Sequence, residues 1–179
     1  MRTVGFGLTV RTDALASQGQ VMDRKIHRIE ARLRDLGLEL PSPAAPVASY
    51  APVILHGGLA YVSGQLPRSA EGLVTGVVGR ELSTGEAKAA ARLCAISLLA
   101  VMKPALGGDL DRISACLQLT GFVNATPDFT QHSEVMNGAS DLMLAVLDEA
   151  GRHARAAVGV ASLPFGVAVE VSAIFAVEP

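Results

Sequence analysis

Aromatic rings are scarce in this 179-residue chain: Phe and Tyr make up 4% of it, and Trp is absent. Half of the chain is still hydrophobic, so its core must come from small and medium aliphatic side chains, which let backbones approach closely. The length suits one domain with a real core. Charge is sparse too, at 18% Asp, Glu, Lys and Arg with a net charge of -2. Nucleic-acid binding needs clustered positive charge, which this balance lacks, so no nucleic-acid partner is expected. Long apolar runs are missing; none approaches the ~18 residues of a membrane span, so no membrane association is expected. The opening stretch, "MRTVGFGLTVRTDALASQGQV", is a poor secretory signal, because its short apolar run is broken by Thr and Gly. The expected location is cytoplasmic.

Other absences narrow the chemistry. The two cysteines, Cys94 and Cys116, share no CxxC or metal-ligand spacing and read as reduced, buried thiols. The histidines, His27, His56, His132 and His153, form no HExxH pair and have no carboxylate at zinc spacing, so no metal is expected. There is no GxSxG and no P-loop, and "GGLAYVSG" reads as a hairpin with glycines that does not open a helix as a dinucleotide loop must. No cofactor is expected.

What is present reads in order along the chain. Residues 1–21 show no usable period and are either a disordered lead or an upstream extension before a start at Met22. "DRKIHRIEARLRDLG" spaces Ile26, Ile29, Leu33 and Leu36 as a helix, with Asp23 as its cap and Gly37 as its end. A Pro-rich linker closes residues 22–46, and the main domain is expected over 47–179. Val53–Leu55 and Leu59–Val62 read as a hairpin around His56-Gly57-Gly58. One short strand is expected around Gly76–Val78. Ser83-Thr84-Gly85-Glu86 is a capping box ahead of a helix reaching Met102 or Ala105. "RISACLQLTGFVN" alternates, placing Ile113, Ala115, Leu117, Leu119 and Val123 on one face and Arg112, Ser114, Cys116, Gln118 and Thr120 on the other. A second helix is expected from about 130 to 150, with Asn137-Gly138 as a tolerated break, followed by two strands around a Leu-Pro-Phe-Gly turn. The pattern is α+β, a mixed sheet with two helices packed on one face.

The last two strands hold the chemistry. Past Arg155, only Glu170 is ionisable in a stretch of Ala, Val, Gly, Ile and Phe running to Phe175. Two readings are open. Glu170 pairs with Arg155 or Arg112 as a structural ion pair at a subunit interface, or Arg155 grips an anionic ligand while Glu170 handles a proton or a water.

The residues "SGQLP" (63–67), Asp128, Phe129, Asn137 and "ARAAVGVASLPFGVAVEVSAI" (154–174) together resemble the Rid proteins, the YjgF/YER057c/UK114 family of reactive-intermediate deaminases. "HAR" and "NGASDL" resemble a longer subgroup with an added N-terminal helix. The resemblance implies a chorismate-mutase-like fold and a homotrimer with sites between subunits. It implies hydrolysis of 2-imino acids to 2-oxo acids and ammonia without a cofactor. By position it makes Arg155 the carboxylate-binding arginine and Glu170 the residue that positions or activates water. Tyr50, Ser63, Gly64 and Asn137 line the cleft, and the Ala157 carbonyl is placed to hold the water. Three positions depart from the pattern: Ala157 stands where Cys is common, His153 where Pro is common, and Ser97 where the first long helix carries Asn. His153 is either a new general acid or a plain strand residue. The alternatives in function are a non-catalytic trimer that binds small carboxylates or acts as a chaperone-like or regulatory protein, and, ranked last, an endoribonuclease.

Overall fold

The computed structural model describes residues 28–43 and 49–179. Its first element is helix α1 (Arg28–Asp35). The cap assigned to Asp23, the apolar contact of Ile26, the lead over 1–21 and the end of the Pro-rich linker lie outside the described residues. Ile29 and Leu33 lie one turn apart on the inner face of α1 and are buried in the same core as the sheet and the long helices. The first amides of a helix lack partners within it. Here the Arg28 and Ile29 N–H groups donate to the Asp111 carboxylate at 2.7 and 2.9 Å. Arg32 donates to the Val146 carbonyl at 3.1 Å and pairs with Asp148, and Lys103 pairs with Glu30 at 2.7 Å. Gly37, at φ 68°, ends the segment as expected.

Strands β1 (Val53–His56) and β2 (Leu59–Gln65) form the expected hairpin. Its turn is only Gly57-Gly58, at φ 59° and 75°, the left-handed pair that a two-residue hairpin requires. His56 is the last strand residue, paired with Leu59. The strand expected around Gly76–Val78 does not form. Gly76 and Gly79 have φ of 127° and 87°, outside extended strand backbone, and the segment makes only isolated bridges from Thr75 and Val78. A small ladder of β3 (Arg68–Ser69) and β4 (Gly72–Leu73) stands nearby instead.

Helix α2 (Thr84–Ala105) begins with the full capping box: the Ser83 hydroxyl accepts from the Glu86 N–H, and the Glu86 carboxylate accepts from the Ser83 N–H. Helix α3 (His132–Leu147) runs through Asn137-Gly138 without a break. Gly138 is there for packing: a Cβ would collide with the Lys88 carbonyl of α2.

The remaining strands are β5 (Ile113–Asn124), β6 (Ala154–Val160) and β7 (Val169–Val177). The main sheet has the order β1-β2-β7-β5-β6, antiparallel except for the β5–β6 pair. A parallel pair needs a crossover, and α3 supplies it. In β5 the simple alternation fails. Cys116 is 1% exposed and Leu117 is 40% exposed, the reverse of the expected faces. Register shifts between Ile113 and Ala115 and between Cys116 and Gln118 each insert an extra residue. One insertion flips the strand's faces and the second restores them, so Leu119 and Val123 still point inward.

The fold is α+β, as expected, with α2 and α3 on one sheet face and α1 as a third helix against α3. On the other face a row crosses all five strands: Ile54, Tyr61, Ile174, Gln118 and Ala154. Among the described residues no helix is long and apolar enough to cross a membrane.

Candidate functional site

Arg155 lies on edge strand β6, in register with Leu119, Ala173 and Val62, the row under the helices. Its side chain reaches α3. Nη1 donates to the Asn137 Oδ1 at 2.9 Å and to the Ser140 hydroxyl at 3.0 Å, and Nη2 donates to the Ser133 carbonyl at 3.2 Å. A guanidinium has five N–H donors. Three are used among the described residues, which leaves Nε–H and one Nη2–H, enough for the two oxygens of one carboxylate.

The partners of Arg155 are themselves fixed. Asn137 Nδ2 donates to Glu134 at 3.0 Å, which turns the amide oxygen toward Arg155. Glu134 also pairs with Lys88 at 3.0 Å, and that bond holds its carboxyl below the ordinary range. On the other side, His153 Nδ1 lies 2.6 Å from the Gly151 carbonyl, and Nε2 lies 2.9 Å from the Ser140 hydroxyl. A carbonyl can only accept, so Nδ1 carries a hydrogen, and Nε2 shares a hydrogen bond with the Ser140 hydroxyl. Both ring nitrogens of His153 are thus engaged within the chain. His153 orients the hydroxyl that orients Arg155.

Glu170 lies elsewhere. It pairs with Phe122, on the row that continues to Val158, on the face without helices. It is two strands and three residues from Arg155, roughly 14 Å by strand spacing and rise. The two charges point to opposite sheet faces and do not pair within the chain. Arg112 does not take Glu170 either; it donates to the carbonyls of Glu178 and Leu106. Glu170 is half-buried, and desolvation raises its pKa above the ordinary carboxylate range. No hydrogen bond or ion pair reaches its carboxylate among the described residues. The side chain folds against Gly64, whose missing Cβ leaves room for it.

The other expected site residues fall into these two groups. Asn137 and His153 join Arg155, and Ala157 follows on the same face, paired with Gly121 and packed on the core. Gly64, against which Glu170 folds, and Tyr50 line one cavity. Ser63 is turned aside: its hydroxyl donates to the Ala51 carbonyl at 2.8 Å. Ser97 donates to the Leu66 carbonyl at 3.3 Å. Sequence reasoning missed Ser133 and Ser140. For Ser140 the signal was there, because 137 and 140 follow the spacing of one helix face; Ser133 contributes only its backbone carbonyl, which no side-chain pattern marks.

Residues 30–176 match the family described as "YjgF/chorismate_mutase-like, putative endoribonuclease". The chain is 50% identical over 149 residues to Protein TCP17 of Trypanosoma cruzi, covering 82% of this chain and 92% of that protein. The crystal structure of Atu1372 from Agrobacterium tumefaciens, a protein of unknown function, is 49% identical, with a TM-score of 0.79 over 84% of this chain and 92% of that one. RidA from the Antarctic bacterium Psychrobacter sp. PAMC 21119 is 30% identical, with a TM-score of 0.51 over 76% of this chain and 94% of that one.

Proposed function

The chain belongs to the YjgF/chorismate_mutase-like family, and we propose that it hydrolyses 2-imino acids to 2-oxo acids and ammonia at sites completed by a second copy of itself. One observation carries this reading. Among the described residues Arg155 is held with two donors free and Glu170 is a carboxylate without a partner, yet one chain sets them on opposite faces of the sheet. A small ligand can touch both only if they come from different copies. The exposed Ile54, Tyr61, Leu117 and Val158 support a neighbour against this chain, and a homotrimer is the expected assembly. The likeness to RidA supports the same reading.

In this mechanism the free edge of Arg155 takes the substrate carboxylate, which fixes C2 of the imine. The oxygen of a water bonds to C2, and a proton goes to the imine nitrogen. The C–N bond of that adduct then breaks. Nitrogen leaves as ammonia, and the hydroxyl loses its proton as the C=O bond forms. Glu170, with its raised pKa, is suited to take the proton from water and return it to nitrogen. Such proton transfer contributes about 10²- to 10⁴-fold, and orientation by Arg155 adds to it.

The test couples the protein to a threonine dehydratase and follows release of the 2-oxo acid, with sedimentation giving the mass of the assembly. The expected result is faster release, lost in both Arg155→Ala and Glu170→Gln. Because the site draws on two copies, unfolding and refolding the two inactive variants together should restore part of the activity. A monomer at micromolar concentration, or no regain on mixing, would contradict a shared site. Binding of a 2-oxo acid without faster release would favour a non-catalytic carboxylate-binding protein.

A further inference from the structure

A cavity of about 300 Å³ opens beside Gly64. Pro41 and Pro43 from the segment after α1, Val101 from α2, and Phe165 form apolar parts of its wall, and Tyr50 and Arg68 also line it. Phe165 is the unusual member. Its φ is 57°, in the left-handed region, and it is 71% exposed. A glycine would hold that backbone without steric cost, as Gly166 does beside it at φ 68°. A strained, exposed ring in a chain with five Phe and two Tyr is not explained by core packing. Tyr50, the second ring on the cavity, is also 52% exposed. The Arg68 guanidinium has no hydrogen-bond or ion-pair partner among the described residues, and a guanidinium is attracted to the face of an aromatic ring.

We propose that this cavity receives the side chain of the substrate, and that the substrate class is 2-imino acids with an aromatic or branched apolar side chain. The inference rests on the deaminase reading above. Gly64 joins the two regions: it lines the cavity, and the carboxylate of Glu170 lies against it. Glu170 itself does not line the cavity; an imine carbon held at its carboxylate would reach the apolar compartment past Gly64. A methyl group would leave those walls wet, whereas a benzyl or isobutyl group would displace the water.

The test is calorimetric titration of the full chain with phenylpyruvate, 4-methyl-2-oxopentanoate, pyruvate and 2-oxoglutarate, stable analogues of the reaction's products. Wild type is compared with Phe165→Gly, Val101→Phe and Arg155→Ala. Phenylpyruvate should bind roughly 10-fold or more tighter than pyruvate. Phe165→Gly should keep or raise the melting temperature, cut phenylpyruvate affinity several-fold and leave pyruvate unchanged. Val101→Phe, by narrowing the cavity, should remove the preference. Equal affinity for phenylpyruvate and pyruvate would overturn the inference and leave the deaminase reading standing. Tightest binding of 2-oxoglutarate would overturn it too, by placing a second carboxylate on Arg68. Phenylpyruvate affinity unchanged in Arg155→Ala would make the cavity a separate site, again against the inference. Failure of wild type to bind any of the four would overturn the deaminase reading and this inference together.

Discussion

The carboxylate of Glu170 lies in the space that a Cβ on Gly64 would fill. Gly64 is not among the positive-φ glycines, so alanine fits its backbone, and the nearest conflict is with the Glu170 side chain. That side chain is flexible and can swing aside. Gly64→Ala should therefore leave stability within about 1 kcal/mol of wild type. It should cost imine hydrolysis about as much as losing the proton-transfer group, roughly 10²- to 10⁴-fold. Melting temperature and kcat/KM on the same variant check this; a large thermal loss with activity intact would contradict it.

Arg155→Ala should be nearly silent in stability, because the guanidinium is exposed and its removal strands no buried charge within its own chain. Ligand affinity should suffer instead. A charge-assisted contact is worth about 1.5 to 3 kcal/mol, so 2-oxo acid affinity should fall roughly 10- to 100-fold. Arg155→Lys keeps the charge but loses the planar fork, and should recover only part of the affinity. A steep fall in melting temperature with affinity unchanged would make Arg155 structural.

Ser140 stands between His153 and Arg155 and touches both. Ser140→Ala should raise KM several-fold with a smaller effect on kcat, because it loosens the group that holds the carboxylate. Ser140→Thr keeps the hydroxyl and should recover much of the loss. A change in kcat alone would argue against a positioning role.

The raised pKa of Glu170 gives stability a sign. A carboxyl raised on folding contributes stability that is complete below its unfolded value and is lost as pH rises through its folded value. At pH 7 the ionised side chain carries its desolvation cost. Glu170→Gln should therefore melt higher than wild type near neutrality and converge with it below about pH 4. Thermal melts of both proteins from pH 3.5 to 8 test the direction.

Cys94 and Cys116 are both free and buried. Burial pushes the Cys116 thiol up to about 12, and burial together with the nearby Glu170 charge puts Cys94 well above its ordinary value. Neither should react with a thiol reagent in the native protein at pH 8, and two should react after unfolding without reductant. Fewer than two would indicate a bridge.

Much of this was legible in local sequence, and the misses share a cause. The capping box at Ser83 and the Gly57-Gly58 turn are set by neighbouring residues, so reading them needed no tertiary knowledge. Cys116 and Leu117 exchanged faces because bulges arise from the match between β5 and β7, which no window within β5 contains. Asn137-Gly138 has the composition of a turn, but Gly138 serves the close approach of α2, a contact about fifty residues away in sequence. At the site, Arg155 and Glu170 stood out as charges among apolar neighbours. Their placement on opposite faces did not, because it depends on the β5–β6 and β5–β7 registers together.

Helix α1 takes the acceptor for its first amides from Asp111, more than eighty residues later. Eight residues are too few for a helix that persists alone in water, where about 12 to 15 are marginal. Its amide hydrogens are thus shielded only while it is docked, and their exchange with deuterium counts detachment events, not fraying within the helix. The chain that leaves α1 runs on to Pro41 and Pro43, so each such event also unties the segment that walls the cavity. Exchange at Arg32 and Leu33 should slow when a ligand occupies that cavity, although neither residue lines it.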